Sequence, residues 1–193
     1  MSETRAGGLE LDKLELNVGH AVLDIRPLFT SFNFYEDIFS NYVTATLTLD
    51  DSMNLPTNEQ IVGHEEFHIK FKGNDPYGAP GTNADWIDLK LLVHGMTDRL
   101  VTGEKTQQYV LNMTSHAALL NNLKKVSKSY NAPIPNIITN IGEEYLDCST
   151  FNSVNSTSTF CCVIPYWSPT LAINWLAERC VHASAKGLSL IHI

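Results

Sequence analysis

Positive charge is scarce in this chain. Its 193 residues include 13 lysines and arginines against 21 aspartates and glutamates, so the formal net charge at pH 7 is −8. A nucleic-acid binder or an anionic-membrane binder needs a basic face, and this composition argues against both classes. The dense basic cluster that the sequence does contain is Lys124, Lys125 and Lys128. With 44% apolar and 18% charged residues, the chain is typical of a globular protein of one domain or two small ones.

Cysteine is also rare and is not spaced for metal binding. The four cysteines are Cys148, Cys161, Cys162 and Cys180, and none forms a Cys-x-x-Cys pair. Structural zinc sites need closer ligand spacing than this. We therefore predict reduced, buried thiols in a cytosolic product, with Cys161 and Cys162 on opposite faces of an extended segment.

Long hydrophobic runs and glycine-rich phosphate loops are missing as well. No window approaches the 18 apolar residues of a membrane helix, and polar residues occupy positions 1–16 where a signal peptide would be apolar. The sequence therefore predicts neither membrane insertion nor secretion. Neither G-x-x-x-x-G-K-[ST] nor G-x-G-x-x-G occurs, so no nucleotide cofactor is predicted.

Alternating apolar and polar residues predict β-strands over the first hundred residues. In Tyr42–Leu49 the threonines occupy one face and the apolar residues the other. In Glu66–Lys72 the apolar face holds Phe67, Ile69 and Phe71. Further strands are predicted at 9–16, 22–26, 86–96 and 107–114, with a hairpin tip at 103–105 and a loop at 73–85.

After Thr114 the apolar spacing becomes helical. Ser115, Pro135 and Ser168-Pro169 are typical helix starts and predict three helices. The predicted apolar stripes are, in the first helix, Leu119, Leu120, Leu123 and Val126, with Lys124, Lys125 and Lys128 near its end; in the second, Ile137, Ile138, Ile141 and Tyr145; in the third, Leu171, Ala172, Trp175, Leu176 and Cys180.

Strands followed by helices indicate an α+β fold built on an antiparallel sheet or partly closed β-barrel. We predict a β-barrel domain at 1–114 and a helical or mixed subdomain at 115–183. Residues 184–193 read as a non-native tail, because this apolar ending carries no turn or cap signals and looks like translated sequencing-adaptor read-through.

One motif resembles catalytic chemistry. His64, Glu65 and His68 match H-E-x-x-H, a zinc-peptidase signature. That site needs a helix, because only there do residues i and i+4 lie close enough to share a metal ion. The local pattern here has period two, which would separate the histidines by roughly 13 Å on a strand. We therefore predict a solvent-facing strand and no catalytic, cofactor-binding or metal-binding residues, and keep a zinc-dependent hydrolase as the alternative function.

Paired acids are a weaker candidate for chemistry. Asp50-Asp51 and Glu143-Glu144 are adjacent in the sequence. Such pairs are typical of turns and helix ends, so we expect all four carboxylates in water. Trp175 and Arg179 are expected at a core or an interface, with Arg179 able to pair with Glu178.

Two segments carry a family resemblance. The first runs from Phe32-Asn33-Phe34-Tyr35-Glu36-Asp37-Ile38-Phe39 into the Tyr42–Leu49 strand, and on to Leu55-Pro56 and Ile61–Glu66. The second is Ile164-Pro165-Tyr166-Trp167-Ser168-Pro169, followed by Ala172–Arg179. Together they resemble the baseplate hub proteins of contractile-tailed bacteriophages across most of residues 10–182. These are packing and turn signatures without catalytic residues.

The resemblance implies a structural, non-enzymatic virion component assembled in the host cytoplasm. Hub proteins form homotrimers whose tail-tube-like barrels give pseudo-sixfold symmetry and adapt the tail tube to the central spike. The implied partners are the spike or tail lysozyme protein, the tail tube and the baseplate wedge proteins. DNA passes through the channel without specific binding, and the acidic balance suggests a lumen that repels phosphate. A type six secretion spike adaptor is a second alternative, because it uses the same module.

The chain departs from the family in length. Hub proteins are clearly longer than 193 residues, so we expect a fragment whose natural sequence continues past about residue 183.

Overall fold

The computed structural model describes residues 9–19, 21–37, 39–59, 61–73, 86–148 and 159–180. Their contacts divide the chain into two compact units. The first comprises residues 1–35 and 44–114, and the second comprises residues 36–43 and 115–193. The polypeptide therefore leaves the first unit after residue 35 and returns to it at residue 44. The predicted loop at 73–85 and the tail at 184–193 lie outside the described residues, apart from Gly73.

The first unit is a seven-stranded antiparallel sheet. Its strands are β1 (Leu9–Val18), β2 (Ala21–Asp24), β3 (Phe29–Tyr35), β4 (Thr44–Asp51), β5 (Glu66–Gly73), β6 (Ile87–Val101) and β7 (Gln107–Thr114), with a short helix α1 (Leu55–Asn58). They lie in the sheet in the order β2-β1-β5-β6-β7-β4-β3. The two outermost strands, β2 and β3, are consecutive in sequence and are joined by a 3-10 turn at Arg26–Leu28. The sheet must therefore curl so that its edges approach each other.

Side-chain alternation fills the inside of this curled sheet. In β4 the pattern of buried Ala45, Leu47 and Leu49 alternates with the three threonines, as predicted. Phe32 on β3 lies 5.9 Å from Phe67 on β5, ring centroid to ring centroid, although three strands lie between β3 and β5 in the sheet. Apolar contact across the interior therefore holds the sheet in its curled form, and the α+β prediction with a partly closed barrel is confirmed.

The second unit packs three helices against a two-stranded ribbon. Its core is the apolar stripe of the helix Ile134–Leu146, with Ile137, Ile138 and Ile141 fully buried. Helix starts at Ser115, Pro135 and Ser168-Pro169 were predicted to within one residue. The elements are α2 (His116–Leu123), β8 (Val126–Pro133), α3 (Ile134–Leu146), β9 (Thr159–Trp167) and α4 (Pro169–Ala177), with β8 and β9 antiparallel.

Two predictions for the second unit are wrong. Helix α2 ends at Leu123, so Val126 and Lys128 belong to β8 rather than to the helix. Leu171 was expected on the buried side of its helix but is exposed. Among the described residues, no helix is long and apolar enough to cross a membrane.

Candidate functional site

The H-E-x-x-H segment forms a loop and the start of a strand. His64 is exposed and has a φ of 124°, while His68 lies within β5. The strand predicted at Glu66–Lys72 is therefore present, extended by one residue. Since extended chain rises about 3.3 Å per residue, His64 and His68 are not brought together as a helix would bring them.

Glu65 uses both carboxylate oxygens to fix the loop in front of β5. Its Oε1 accepts the Val62 N–H at 2.8 Å, and its Oε2 accepts the Gly63 N–H at 3.0 Å. The side chain is buried. A glutamate acting as a general base needs a free oxygen facing substrate, whereas both oxygens of Glu65 are engaged by backbone.

His68 belongs to a charged ladder on the outer face of β1, β5 and β6. Its Nε2 lies 2.7 Å from Asp88 Oδ1, and its Nδ1 lies 3.6 Å from Glu15 Oε2. Neighbouring rungs join Lys70 to Asp12 and Lys72 to Glu10, each at 2.8 Å. The ladder continues the period-two pattern that the sequence predicted for β5. Across the part of the chain that the structure describes, no three His, Cys, Asp or Glu side chains are placed to hold a metal ion.

The prediction that the Asp51 carboxylate lies in water is wrong. Asp51 is fully buried at the end of β4, and its carboxylate accepts four hydrogen bonds. The donors are the Met53 N–H (2.7 Å), the Leu55 N–H (2.8 Å), Gln107 Nε2 (3.1 Å) and the Tyr109 hydroxyl (3.2 Å). Two of these donors hold the loop after β4, and two come from β7.

The surroundings of Asp51 are tightly organised. Gln107 donates from Nε2 to Asn54 Oδ1 as well as to Asp51, and its Oε1 accepts from Arg99 Nε at 2.8 Å. Burial, with the Asp51 charge as the next cause, raises the pKa of Tyr109 far above its usual value. A neutral phenol thus donates to a buried carboxylate, which makes this cluster a structural lock between a loop and a hairpin.

The two segments that resemble hub proteins meet at a second hydrogen-bonded cluster, in the second unit. The Tyr42 hydroxyl donates to Thr170 Oγ1 at 2.9 Å, joining residues 128 positions apart. Thr170 in turn donates to Asn121 Oδ1 from both its backbone N–H (3.0 Å) and its hydroxyl (2.8 Å). We call Tyr42, Asn121 and Thr170 the junction.

The junction explains how residues 36–43 are held in the second unit. Besides the Tyr42 hydroxyl bond, the Ser115 N–H donates to the Val43 carbonyl oxygen at 3.1 Å. Burial raises the pKa of the Tyr42 phenol, with the Thr170 hydrogen bond opposing it, so the hydroxyl stays protonated and can donate. Asn121 supplies the side-chain cap that α4 lacks from its own N-cap residue, Ser168.

An aromatic cluster follows at the end of α4. The Trp175 ring centroid lies 5.6 Å from that of Trp167 and 5.9 Å from that of Phe160. The Arg179 guanidinium carbon lies 4.1 Å from the centre of the Trp175 ring and its Nη1 donates to the Trp175 carbonyl oxygen. Arg179 also lies 3.7 Å from Glu178, as the sequence analysis allowed. The Arg179 side chain therefore covers the Trp175 ring at the C-terminal end of α4.

The cysteines differ in exposure. Cys180 is buried, Cys148 and Cys162 are half-buried, and Cys161 is exposed, so the prediction of buried thiols is wrong for Cys161. Burial raises the pKa of both Cys148 and Cys162, which makes these thiols less reactive.

No protein-family model and no curated protein matches the chain. Among solved structures, the lidded Francisella PdpA–VgrG complex is similar over 84% of this chain and 24% of that chain, with 10% identity and a TM-score of 0.46. The half-lidded form of the same complex matches over 86% and 28%, with 12% identity and a TM-score of 0.45.

A third similar structure is E. coli c3393, a component of the type VI secretion system with structural similarity to the T4 bacteriophage tail proteins gp27 and gp5. It matches over 89% of this chain and 43% of that chain, with 12% identity and a TM-score of 0.43. The chain thus spans between about a quarter and under half of the length of these structures.

Proposed function

We propose that this chain is a non-enzymatic structural component of a contractile tail or of a related secretion spike. The junction is the observation that carries the proposal. The two segments that resemble hub proteins are far apart in sequence, yet a hydrogen bond joins Tyr42 of the first to Thr170, which lies between the two parts of the second. The residues of these segments serve packing and turns and include no catalytic residues, which supports a structural role.

The finer proposal is a homotrimeric hub that joins the tail tube to the central spike. The outermost strand β3 supports it. Its seven residues, Phe29–Tyr35, carry no charge, and its outer edge has no ladder partner within the described part of the first unit. Natural proteins protect such edges with charges, proline or cover, because a bare edge pairs with another chain. Pairing between copies would use this edge in a ring.

The remaining partners follow from the resemblance. A hub would hold a spike or tail lysozyme protein, contact the tail tube and baseplate wedge proteins, and lie in the virion baseplate. DNA would pass its channel without specific binding, which fits the net charge of −8.

Native mass spectrometry of the full chain tests the ring. We expect a species of three times the 21.5 kDa chain mass. Thr30 is exposed on β3, and a charge on an edge strand is one way in which natural proteins prevent pairing with another chain. Thr30→Lys should shift the trimer to monomer with unchanged circular dichroism, and Thr30→Ser, which adds no charge, should not.

Two results would contradict this proposal. A wild-type chain that remains monomeric at every concentration would contradict the proposed trimeric ring. One zinc ion per chain, retained in native spectra and lost in His64→Ala, would replace the structural role by the hydrolase alternative.

A further inference from the structure

The charged ladder crosses the pairing that connects the outer strands β2 and β1 to the rest of the first unit. In the sheet order β2-β1-β5, the β1–β5 pairing joins these two strands to the remaining five. We call this pairing the seam. In its register Glu10 lies opposite Lys72, and Glu15 lies opposite His68. The side chains of the ladder therefore decide how firmly β1 and β2 are held to the sheet.

His68 is the ladder residue whose side chain type changes charge near neutral pH. Lysine and the acidic side chains keep their charges between pH 5 and pH 8, whereas histidine gains or loses a proton in this range. The His68 side chain is only 15% exposed, so its ring nitrogens depend on protein partners rather than on water. Its protonation therefore changes the interactions across the seam.

Each ring nitrogen of His68 faces a carboxylate from a different strand. Nε2 lies 2.7 Å from Asp88 Oδ1 on β6, and Nδ1 lies 3.6 Å from Glu15 Oε2 on β1. A neutral imidazole carries one N–H, and its other nitrogen is an acceptor that gains nothing from a nearby carboxylate. The protonated ring carries an N–H on both nitrogens and places a positive charge between the two carboxylates. Protonation thus lets one side chain tie β5 to both β1 and β6.

The lysines that flank His68 on this face have other neighbours. Lys90 lies opposite His68 on β6, and its Nζ is 3.8 Å from Glu66 Oε1. Lys70, two residues along β5, is held by its own rung of the ladder. Lys13 on β1 lies opposite Lys70 rather than opposite His68. The two carboxylates that face the ring nitrogens therefore dominate the charge at His68.

We propose that His68 is a proton-dependent clamp that tightens the seam in acid and loosens it as the pH rises. The folded chain offers the protonated ring two carboxylates that the unfolded chain does not hold in place. Folding therefore favours the protonated ring, so the stabilisation is complete at acid pH and is lost as the proton leaves. The clamp acts within the first unit and does not depend on whether the chain forms a ring.

Hydrogen exchange of the full chain at pH 5 and pH 8 tests the clamp, with each rate corrected for intrinsic exchange at that pH. We expect the protection of the β1 amides, relative to that of the β7 amides, to fall about tenfold between pH 5 and pH 8. His68→Gln keeps a donor for Asp88 but does not titrate, so it should remove this fall. His94→Gln is the matched control, because His94 is an exposed histidine on β6, and it should leave the fall unchanged.

Replacing the two carboxylates tests the same clamp with His68 in place. Asp88→Asn with Glu15→Gln removes both negative charges, so the fall in β1 protection should disappear. Asp50→Asn, at an exposed position of β4, is the control for loss of a carboxylate and should leave the fall unchanged.

Four results would overturn the proposal. They are relative β1 protection that does not change with pH in the wild-type chain, a fall that persists in His68→Gln, and a fall that persists in the double carboxylate variant. The fourth is a fall that His94→Gln removes as completely as His68→Gln does, because the effect would then not belong to the seam.

Discussion

Loss of the Asp51 carboxylate is expected to destabilise the first unit strongly. Asp51→Ala removes the acceptor of four hydrogen bonds, and three of the donors, on Leu55, Gln107 and Tyr109, belong to buried residues. Each buried donor left without a partner costs about 1–3 kcal/mol. Relaxation of the loop recovers part of this, so we expect a loss of about 3–5 kcal/mol. That is a large share of the roughly 5–15 kcal/mol by which domains are stable.

Urea unfolding followed by circular dichroism measures this loss. Asp50→Ala is the matched control, because Asp50 is the exposed neighbour on the same strand, and it should change the free energy of unfolding by less than about 0.5 kcal/mol. Hydrogen exchange should show faster exchange in residues 52–58 and 99–107 of the Asp51 variant only. Equal stability of the two variants would refute the view that this carboxylate locks the loop to the hairpin.

Two further predictions concern the second unit. The Tyr130 hydroxyl is buried without a hydrogen-bond partner among the described residues, so Tyr130→Phe should leave stability at neutral pH unchanged or raise it by about 1 kcal/mol. Burial raises the pKa of Tyr130 from 10.0 to about 12. The unfolded chain therefore loses this proton at a lower pH than the folded chain does. Wild-type stability, fully present below pH 10, should fall by about 2–3 kcal/mol as pH rises to 12, and the fall should be smaller in Tyr130→Phe. Urea titrations at several pH values measure the free energy of unfolding, and an equal fall in both proteins would contradict this prediction. Asn121→Ala should cost about 1–3 kcal/mol in thermal unfolding, because Thr170 loses the acceptor of two hydrogen bonds, whereas the exposed Asn122→Ala should cost little; similar melting temperatures for the two variants would contradict the capping role.

Local sequence patterns predicted the elements whose buried residues recur at a regular spacing. The threonine alternation of β4 and the isoleucine stripe of α3 each report which face is buried, so both elements were found with their faces assigned. The strand β8 was missed for a physical reason. Val126 and Tyr130 are four residues apart, a spacing that suits one face of a helix and one face of a strand equally, and Val126 also continues the leucine spacing of α2.

The clusters could not be predicted, because their members meet only through tertiary structure. Asp51 carries the sequence signature of a turn acid, and the Gln107 and Tyr109 donors that justify its burial come from β7. Similarly, nothing near Tyr42 in the sequence indicates a contact with Thr170. The resemblance selected both segments of the junction without indicating the hydrogen bond between them.

The excursion of residues 36–43 into the second unit affects the order in which the chain matures on the ribosome. The strands of the first unit are all available once residue 114 has emerged, but Tyr42 must wait for Thr170 before its hydroxyl has a partner. Residues 36–43 therefore lack this contact while more than a hundred further residues are synthesised. Three crossings of the backbone then tie the units together, so a single cut between residues 114 and 115 cannot release the second unit intact.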